Sequence, residues 1–578
     1  MKTLDLFIAA ALLFVATQRQ SVAGSATWST NPASGDWNTA ANWTPQTVPS
    51  SSSDIAAFAT SNQTQIAVSA ITEVGGISFK PGADSFTIIA ATYPVTLSGS
   101  GIINSSGKLQ TFLCEINDGF NGVFFFRNSA TAGSLTSFGG SEGSFFDFFD
   151  TTSAGSAGFD LGGGSVQSQI TFLDSATAAD ATINVTQGAI NFFGTSTAAN
   201  ARMTVSGYAI LYFLENAKGG NAVATCFGGK YFGNNISFAD NATAEEGTYT
   251  VVGASAAGEF GSFIEFLGNA TADRSTLVIN GGMGAGLEGT SLIFIDTTTA
   301  GAANITANGG IDGSDGGVIF FEKKSQGGTA SITLKGNSEL DISTHRAPGV
   351  TIGSLAGQGS VLLGANTLTI GSNNQNTSFA GVIQGSGALA KVGTGTLKLS
   401  GANTYSGQTT VSAGTLAVGN TTGSGTGLGP VQVNGGTLAG TGVIAGAVTI
   451  GSGNGAGALF APSQGAGKPT SLTLQSSLTF KADATYGYRL NLKKKKSDLV
   501  VANGVTIESG AQFDLQAVGR GRVRPGKVAT VINNTAATPI NGAFANLPDG
   551  AVVNVNGNNL QASYSGGDGN DLTLTVEP

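Results

Sequence analysis

The sequence predicts an all-β protein, a right-handed parallel β-helix (β-solenoid) with an N-terminal cap and a C-terminal β cap or small β-domain. Hydrophobic residues make up 40% of the 578 residues and charged residues only 11%, with 88 glycines, as in folded strands joined by tight turns. A unit containing phenylalanine and Ala-Thr-Ala recurs after residue 120 at intervals of 20 to 28 residues. Because such short units cannot bury a core alone, we expect them to stack.

Residues 1–23 are predicted to be a secretory signal peptide. The apolar run Leu6–Ala16 follows Lys2, and a small-residue cleavage site ends at Ala23. We therefore expect cleavage between Ala23 and Gly24, and a mature chain that is secreted, extracellular or on the outer cell surface. No later segment is long and apolar enough to span a bilayer, so we expect no integral membrane segment in the mature chain.

Residues 24–100 are predicted to form an N-terminal cap and the first coils. All three tryptophans, Trp28, Trp37 and Trp43, lie near the start of this segment. A solenoid must cover its exposed end against edge pairing, so we interpret the tryptophans as an aromatic cap. The alternative is a platform on which sugars stack.

Residues 101–355 are predicted to be phenylalanine-anchored solenoid repeats. Like residues of stacked coils fall above one another, so the anchors should form a column of rings in the core. The predicted anchors are Phe126, Phe148, Phe172, Phe192, Phe213, Phe238, Phe266, Phe294 and Phe320. Cys114 and Cys226 then lie several coils apart, too far for a disulfide, and we expect two unpaired, buried thiols.

Residues 356–465 are predicted to be glycine-rich repeats. In GTGTLKLSGANTYSGQTTVSAGTLAVG (393–419) the glycines fall between short apolar runs, as expected at coil corners. The residues expected to face inward are Leu397, Leu399, Val411, Leu416 and Val418.

This stretch, with its flanks GANTLTIGSNNQNTSFAGVIQGSGALAKV (364–392) and GSGTGLGPVQVNGGTLAGTGVIAGAVTIG (423–451), closely resembles the autotransporter-associated β-strand repeat. The resemblance implies a solenoid like the passenger regions of autotransporters, in an exported protein of a Gram-negative bacterium, and it carries no catalytic residues. The chain ends at Glu577-Pro578, so we expect a passenger-like protein that lacks the C-terminal translocator barrel.

Residues 466–578 are predicted to close the stack as a C-terminal β cap or domain. Basic residues concentrate here, although the whole chain has a net charge of −9, which argues against nucleic-acid binding. They are Lys468, Lys481, Arg489, Lys493, Lys494, Lys495, Lys496, Arg520, Arg522, Arg524 and Lys527. Such a strip can contact anionic polysaccharide or an anionic cell surface. The alternative is a solvated turn with exposed strand positions.

Acidic residues recur two positions after the anchors, at Asp150, Asp174, Glu215, Asp240, Asp296 and Glu322. Asn128, Gly194 and Gly268 interrupt the series, which favours a turn position that selects Asn, Asp or Gly. A cation-binding row and a catalytic row are the alternatives. The lone His345 would have to serve any Ser-His-Asp triad, and we predict no catalytic residue, no metal site and no cofactor.

The leading functional hypothesis is a secreted or surface-exposed structural or adhesive β-solenoid protein that is not an enzyme. The alternative is an extracellular polysaccharide-binding or polysaccharide-cleaving β-helix protein, a lyase or a hydrolase. Candidate partners are extracellular polysaccharide and other cell-surface components. The sequence leaves open the binding residues, the ligand, the export route and the oligomeric state.

Overall fold

The computed structural model describes residues 24–578 except 118–119, 141–142, 164–166, 231–232, 456, 465–467, 493, 495 and 520. Ala23 lies outside the described residues, so cleavage before Gly24 stays a prediction. The chain divides into two compact units, one reaching Ile183 and the other spanning Asn184–Pro578. Apart from a 3₁₀ turn at Ala40–Asn42, the regular elements of the described residues are β-strands, and none of their helices could cross a membrane.

The strands of the first unit are mostly short, and inward and outward side chains alternate along them. They are β1 (Ala26–Trp28), β2 (Trp43–Thr44), β3 (Ile55–Phe58), β4 (Gln65–Val68), β5 (Thr72–Phe79), β6 (Thr87–Ala90), β7 (Val95–Asn104), β8 (Gln110–Cys114), β9 (Ile116–Asn117), β10 (Phe120–Asn121), β11 (Val123–Phe126), β12 (Thr136–Gly140), β13 (Phe145–Phe148), β14 (Gly158–Leu161) and β15 (Ser168–Phe172).

These strands pair in parallel with strands of the neighbouring coils. One series runs β3, β5, β7, β11, β13 and β15, and a second runs β4, β6, β8, β12 and β14. At the N-terminal end β1 pairs antiparallel with β2 and parallel with β3. The first unit is thus a parallel β-solenoid whose first rung is closed by a short antiparallel pair.

The three tryptophans lie inside this closed end. Trp28, Trp37 and Trp43 are buried, and the rings of Trp37 and Trp43 pack edge to face with centroids 5.0 Å apart. Phe58 of the next rung contacts all three indoles. The predicted aromatic cap is confirmed, and the buried indoles offer no face for a sugar.

The second unit begins within β16 (Thr182–Phe192) and continues as a longer series of strands. Those up to residue 341 are β17 (Arg202–Phe213), β18 (Val223–Cys226), β19 (Asn235–Phe238), β20 (Thr248–Val251), β21 (Phe263–Phe266), β22 (Thr276–Ile279), β23 (Ser291–Phe294), β24 (Asn304–Ala307), β25 (Val318–Phe321), β26 (Ser331–Leu334) and β27 (Glu339–Asp341).

The later strands are β28 (Gly349–Ile352), β29 (Ser354–Gly357), β30 (Ser360–Leu362), β31 (Thr367–Ile370), β32 (Thr377–Phe379), β33 (Val382–Gln384), β34 (Ala388–Lys391), β35 (Thr396–Leu399), β36 (Thr409–Val411), β37 (Thr415–Val418), β38 (Val431–Val433), β39 (Gly436–Gly440), β40 (Val443–Ile444), β41 (Val448–Ile450), β42 (Ala458–Phe460), β43 (Ser471–Leu474), β44 (Leu478–Phe480), β45 (Ala484–Asn491), β46 (Lys496–Ser497), β47 (Leu499–Ala502), β48 (Val505–Ile507), β49 (Gln512–Val518), β50 (Val528–Asn534), β51 (Val552–Val555), β52 (Asn558–Gly566) and β53 (Asp571–Val576).

The second unit is also a parallel β-solenoid. One column runs from β17 through β18, β20, β22, β24 and β26 to β29, and another from β17 through β19, β21, β23 and β25 to β27. A third runs from β28 through β31, β34, β36, β38, β41 and β44 to β48. The predicted all-β solenoid class is confirmed.

Parallel pairing continues into the C-terminal part of this unit. Strand β45 pairs with β49 along its length, and β43, β47 and β50 form a further parallel column. Antiparallel pairing then takes over, with β50 next to β53, β53 next to β52 and β52 next to β51. Three antiparallel strands therefore extend one sheet of the solenoid beyond its last parallel strand.

Phenylalanine rings stack in a column within each unit, as predicted. In the first unit the centroids of Phe126 and Phe148 are 4.3 Å apart, and those of Phe148 and Phe172 are 4.9 Å apart. In the second unit the column consists of Phe192, Phe213, Phe238, Phe266, Phe294 and Phe321, with spacings between 4.5 and 4.9 Å. These distances match the strand spacing, so one ring stacks per coil.

The last predicted anchor, Phe320, was wrong by one residue. Phe321 joins the column, while Phe320 is only half-buried and faces the other way. Adjacent residues of a strand point to opposite faces, so only one of two consecutive phenylalanines can enter the core.

The glycine-rich repeat packs as its pattern predicted. Leu397 lies beside Leu416 and Leu399 beside Val418 in parallel strands one coil apart. All four side chains and Val411 are buried. At the corner, a Cβ on Gly401 would lie 1.8 Å from the carbonyl oxygen of Gly381, so this position requires glycine.

Candidate interaction surface

The coils of the second unit differ in how their strands are joined. Strand β17 runs without a break through two sides of its coil, whereas in the following coils two four-residue strands replace it. The connections between them are the segments 252–262, 280–290 and 308–317, which we call the loop stack. The lengthening of the repeat from 20–21 to 27–28 residues reflects these inserted loops.

The loops hydrogen bond to one another through their main chains. Met283 and Ile311 form a parallel bridge, and the Met283 N–H donates to the Ala254 carbonyl oxygen at 2.9 Å. The Ile311 N–H donates to the Gly282 carbonyl oxygen at 3.0 Å, and the Ala254 N–H donates to the main-chain carbonyl oxygen of Glu288 at 3.0 Å. Each loop is therefore fixed by the next one in the stack.

Glycine is required where the loops leave the coil. A Cβ on Gly261 would lie 1.9 Å from the carbonyl oxygen of Gly289, and one on Gly289 would lie 2.1 Å from that of Gly316. Neither separation is possible for a side chain, so the bases of the three loops pack backbone against backbone.

Large apolar side chains project from the loop stack into solvent. Phe260 is 42% exposed, Met283 45% and Ile311 57%, and Phe227, in the preceding connection, is 43% exposed. Met283 and Ile311 occupy equivalent bridged positions in consecutive coils. Phe260 is bridged instead to Gly229, in the connection that carries Phe227. Exposed apolar residues clustered on loops that are fixed to one another are typical of an interaction surface, and we call these four residues the apolar stripe.

Acidic residues border this stripe. The three loops contain Glu259, Glu288, Asp312 and Asp315 and no lysine or arginine. The Glu259 carboxylate accepts hydrogen bonds from the Ser255 N–H and hydroxyl, both at 2.9 Å, and these hold the pKa of Glu259 below its usual value. The exposed Lys230 of the preceding connection also lowers this pKa, so the apolar side chains are bordered by four acids of the loop stack and one neighbouring base.

Sequence reasoning missed the loop stack. Two signals were present: the longer spacing after Phe213, and Phe260, Met283 and Ile311 standing among glycines outside any alternating strand. Glycine-rich segments are usually interpreted as turns, which hid the few large side chains that they carry.

The predicted acidic positions lie at one corner of successive coils, in the left-handed conformation. Positive φ angles occur at Asn128, Asp150 and Asp174 in the first unit and at Gly194, Glu215, Asp240, Gly268, Asp296 and Lys323 in the second. Asn, Asp and Gly are the residues that tolerate this region best. The turn interpretation is confirmed.

Each carboxylate of this corner row serves the coil before it. Asp150 Oδ2 accepts the Asn128 N–H at 2.8 Å, and in the second unit Asp240 Oδ2 accepts the Glu215 N–H at 3.1 Å. Glu215 Oε2 in turn accepts the Gly194 N–H at 2.7 Å. The side chains thus satisfy main-chain donors across the coil boundary.

Glu322 was wrongly assigned to this row, because the anchor is Phe321. Lys323 takes the left-handed position instead, and its Nζ lies 2.7 Å from Asp296 Oδ1. This ammonium, together with the Gly268 N–H, holds the pKa of Asp296 below its usual value. In the described part of the chain no three His, Cys, Asp or Glu side chains form a group able to hold a metal ion.

His345 is buried against main-chain groups. Its Nε2 lies 2.8 Å from the carbonyl oxygen of Ser325, and its Nδ1 faces that of Arg346. Both contacts are to carbonyl oxygens, so the described partners of His345 do not include the serine hydroxyl or carboxylate of a triad. The ring instead links two corners of the solenoid.

The two cysteines are buried free thiols, one in each unit. Burial raises the pKa of Cys226 to about 12 and that of Cys114 further still. The predicted burial of both thiols is confirmed.

Among the basic residues of the C-terminal segment, Lys481 pairs with Glu508 at 2.6 Å. Lys494, Lys496, Arg522, Arg524 and Lys527 are exposed. Lys493, Lys495 and Arg520 lie outside the described residues.

Comparison with known protein families finds a match for part of the glycine-rich region. Residues 389–418, which include most of β34 and all of β35, β36 and β37, match the family described as Passenger-associated-transport-repeat. The chain resembles an autotransporter passenger. This passenger-like chain is 41% identical over 96 residues to the Adhesin BmaC autotransporter of Brucella suis biovar 1 (strain 1330).

That match covers 16% of this chain and 3% of the Brucella protein, so the passenger-like chain corresponds to a small part of its relative. Among solved structures, the Haemophilus influenzae Hap adhesin aligns with 91% of this chain over 64% of its own. The sequence identity is 11% and the TM-score is 0.26.

Proposed function

We propose that this protein is a non-enzymatic adhesive scaffold at the cell surface, and that the loop stack is its contact surface. The observation that carries the proposal is the exposure of three large apolar residues, the bridged pair Met283 and Ile311 together with Phe260, on loops fixed to one another by main-chain hydrogen bonds. The passenger repeat and the local similarity to an autotransporter adhesin support the same role.

The chemistry of the loop stack selects the kind of partner. Its loops carry four acids and no bases. A protein surface with apolar side chains bordered by lysine and arginine complements it in both respects. The apolar stripe supplies buried area on contact, and the acids favour that partner over an anionic membrane.

Export and exposure are part of the proposal. The signal peptide of residues 1–23 would bring the chain out of the cytoplasm of a Gram-negative bacterium, with cleavage between Ala23 and Gly24. Mass spectrometry of the protein recovered from the cell exterior should give a mature chain that begins at Gly24. A chain that retains residues 1–23 and stays in the cytoplasm would contradict export.

Adhesion is tested with beads coated with the full chain and offered to epithelial cells, fibroblasts and bacteria. The variant Phe260→Ser, Met283→Ser, Ile311→Ser should lose most bead adhesion, because the apolar contact area is removed. Leu428→Ser changes an equally exposed apolar residue outside the loop stack, 61% exposed, and should adhere as the unmodified chain does. Equal adhesion by the triple variant would exclude the loop stack, and absence of adhesion by the unmodified chain would exclude the function.

The alternative of polysaccharide binding or cleavage has no supporting observation among the described residues. The tryptophans are buried, and the carboxylates of the corner row are occupied by main-chain donors. Incubation with a panel of acidic and neutral polysaccharides should leave their chain length unchanged.

A further inference from the structure

An apolar cavity lies on one face of the sheet that contains β47, β50, β53 and β52, against β45 and the segment with Val523. Its volume is about 320 Å³, and it is lined chiefly by Leu490, Leu499, Val523, Leu560, Leu574 and Val576. Cavities of this size and character are typical of small-ligand sites. The adhesive role proposed above makes no use of it.

A second, polar pocket adjoins this cavity. It has a volume of about 610 Å³ and shares Val523 and Val576 with the apolar cavity. Arg522 and Arg524 line it together with the side-chain amides of Asn554, Asn558 and Asn559. The two pockets thus place an apolar compartment directly beside a cationic and amide-lined one.

The segment between the two pockets is fixed by the neighbouring strands. The Val523 N–H donates to Asn558 Oδ1 at 2.7 Å, and Asn558 Nδ2 donates to the Gly521 carbonyl oxygen at 3.0 Å. Further along, the Gly526 N–H donates to the Val576 carbonyl oxygen at 2.7 Å. The walls are therefore held in place before any ligand enters, which lowers the cost of binding.

The charges around the two pockets are mainly positive. Lys527 lines the apolar cavity, and Lys496 is next to Ser497, another lining residue. Among the described residues that line either pocket, the negative groups are the Glu577 side chain and the carboxylate of Pro578, the last residue of the sequence, against Arg522, Arg524 and Lys527. A ligand that places a negative charge at Arg522 and Arg524 fits this distribution.

We propose that the paired pockets bind a single-chain amphiphile with an anionic head group. The acyl chain lies in the apolar cavity, and the head group accepts hydrogen bonds from Arg522, Arg524 and the side-chain amide of Asn559, while the Asn554 and Asn558 amides donate within the protein. Burial of the chain supplies the affinity, and the arginines select the charge of the head group.

The proposal is tested by isothermal titration of the full chain with sodium dodecanoate and with dodecyltrimethylammonium, both below their micelle concentrations. Dodecanoate should bind about tenfold more tightly, since only its head group is attracted to the arginines. Val523→Trp fills the cavity and should abolish binding, while Val382→Trp, at an exposed valine elsewhere in the unit, should not. Arg522→Glu should weaken dodecanoate binding about fivefold, with Lys398→Glu as its control.

Vesicles distinguish the source of the acyl chain. Binding to phosphatidylcholine vesicles that contain phosphatidylglycerol, lost in Val523→Trp, would assign the site to a membrane lipid. Binding of dodecanoate alone would assign it to a free acid. Equal affinity for the two surfactants, unchanged binding by both variants, or no binding to either probe would overturn the proposal.

Discussion

Residues 202–334 and residues 365–450 stack their coils in parallel but form corners in different ways. In the first region aromatic rings fill the core column, and corners use side chains such as Asp240 in the left-handed conformation. In the second region the column is mostly aliphatic, with Leu397 on Leu416, and Phe379 lies beside Leu399. Corners there use glycine, and a Cβ on Gly407 would lie 2.2 Å from the Gly387 carbonyl oxygen.

The difference shows that one architecture can hold its coils by side-chain stacking or by close main-chain approach. The ring column fixes successive coils through their largest side chains. Glycine corners bring coils together where no side chain fits. Substitutions that remove rings and substitutions that add a Cβ should therefore separate the two regions.

The largest effect is expected from Phe266→Ala in the ring column. Phe266 stacks between Phe238 and Phe294, at 4.9 and 4.8 Å, so the change leaves a cavity and removes two ring contacts. We expect a local loss of about 4 kcal/mol, against about 3 kcal/mol for Leu416→Ala in the glycine-rich region.

Hydrogen exchange of the flanking strands is the appropriate measurement, because long repeat arrays do not unfold in two states. Phe266→Leu keeps most of the volume and serves as the control. A larger loss for Leu416→Ala than for Phe266→Ala would refute the role assigned to the rings.

Gly401→Ala should be the next most disruptive change, with a local loss of about 2 kcal/mol, because its Cβ would meet the Gly381 carbonyl oxygen at 1.8 Å. Gly487→Ala is the matched control, since the nearest atoms to its Cβ lie at 3.4 Å. Exchange in β35 and β37 should speed up in the first variant alone. Wild-type protection in Gly401→Ala would show that the corner can open without cost.

Lys391 provides a pH-dependent test within the glycine-rich region. Its side chain is buried, its Nζ donates to the carbonyl oxygens of Val392, Gly393 and Ala413, and burial lowers its pKa from 10.5 to about 8. The unfolded chain thus binds more protons between pH 8 and 10.5, so this residue makes stability rise with pH across that window.

We expect the free energy of unfolding of the coils around Lys391 to rise in the unmodified chain relative to Lys391→Met, by on the order of 2 kcal/mol between pH 8 and 10. Because the array does not unfold in two states, the urea dependence of protease cleavage within these coils is the measurement. Lys398→Met, at an exposed lysine, should show no such difference. A relative free energy that falls or stays constant over this range would contradict the lowered pKa.

The smallest effect is expected at the corner row of the first region. Asp240→Ala removes the acceptor of the Glu215 N–H and places alanine at φ 59°, and we expect a local loss of about 1 kcal/mol. Asp240→Asn keeps a side-chain oxygen that can accept the Glu215 N–H, and asparagine tolerates the left-handed conformation. Exchange of the Glu215 amide should therefore stay slow in this variant. Equal exchange in the two variants would mean that the carboxylate does not cap that amide.

Much of the fold follows from local patterns. The alternation of apolar residues placed Leu397 and Leu416 in the core, and the recurrence of phenylalanine set the coil length. The same alternation also places Lys391 inside, two residues after Leu389, but its charge would suggest an outward position. Three carbonyl oxygens from two coils make that burial possible, and a single strand does not reveal them.

The candidate surfaces were harder to predict. Met283 and Ile311 are far apart in sequence and lie side by side only because the loops are stacked, and Phe260 is likewise brought beside Gly229. The cavity near Val523 depends on the placement of β53 beside β50 and of β52 beside β53. Long-range antiparallel pairing decides that placement. The basic residues were visible in the sequence, but the apolar cavity beside them was not.

The corner row gives the solenoid a direction of growth. A carboxylate of one coil accepts the N–H of the coil that precedes it in the chain, as Asp240 does for Glu215 and Glu215 for Gly194. A corner at the growing end therefore keeps an open donor until the next coil arrives from the C-terminal side. When assembly starts from a C-terminal coil, the carboxylate of that coil is already in place. Each preceding coil that then docks finds an acceptor for its corner N–H at once.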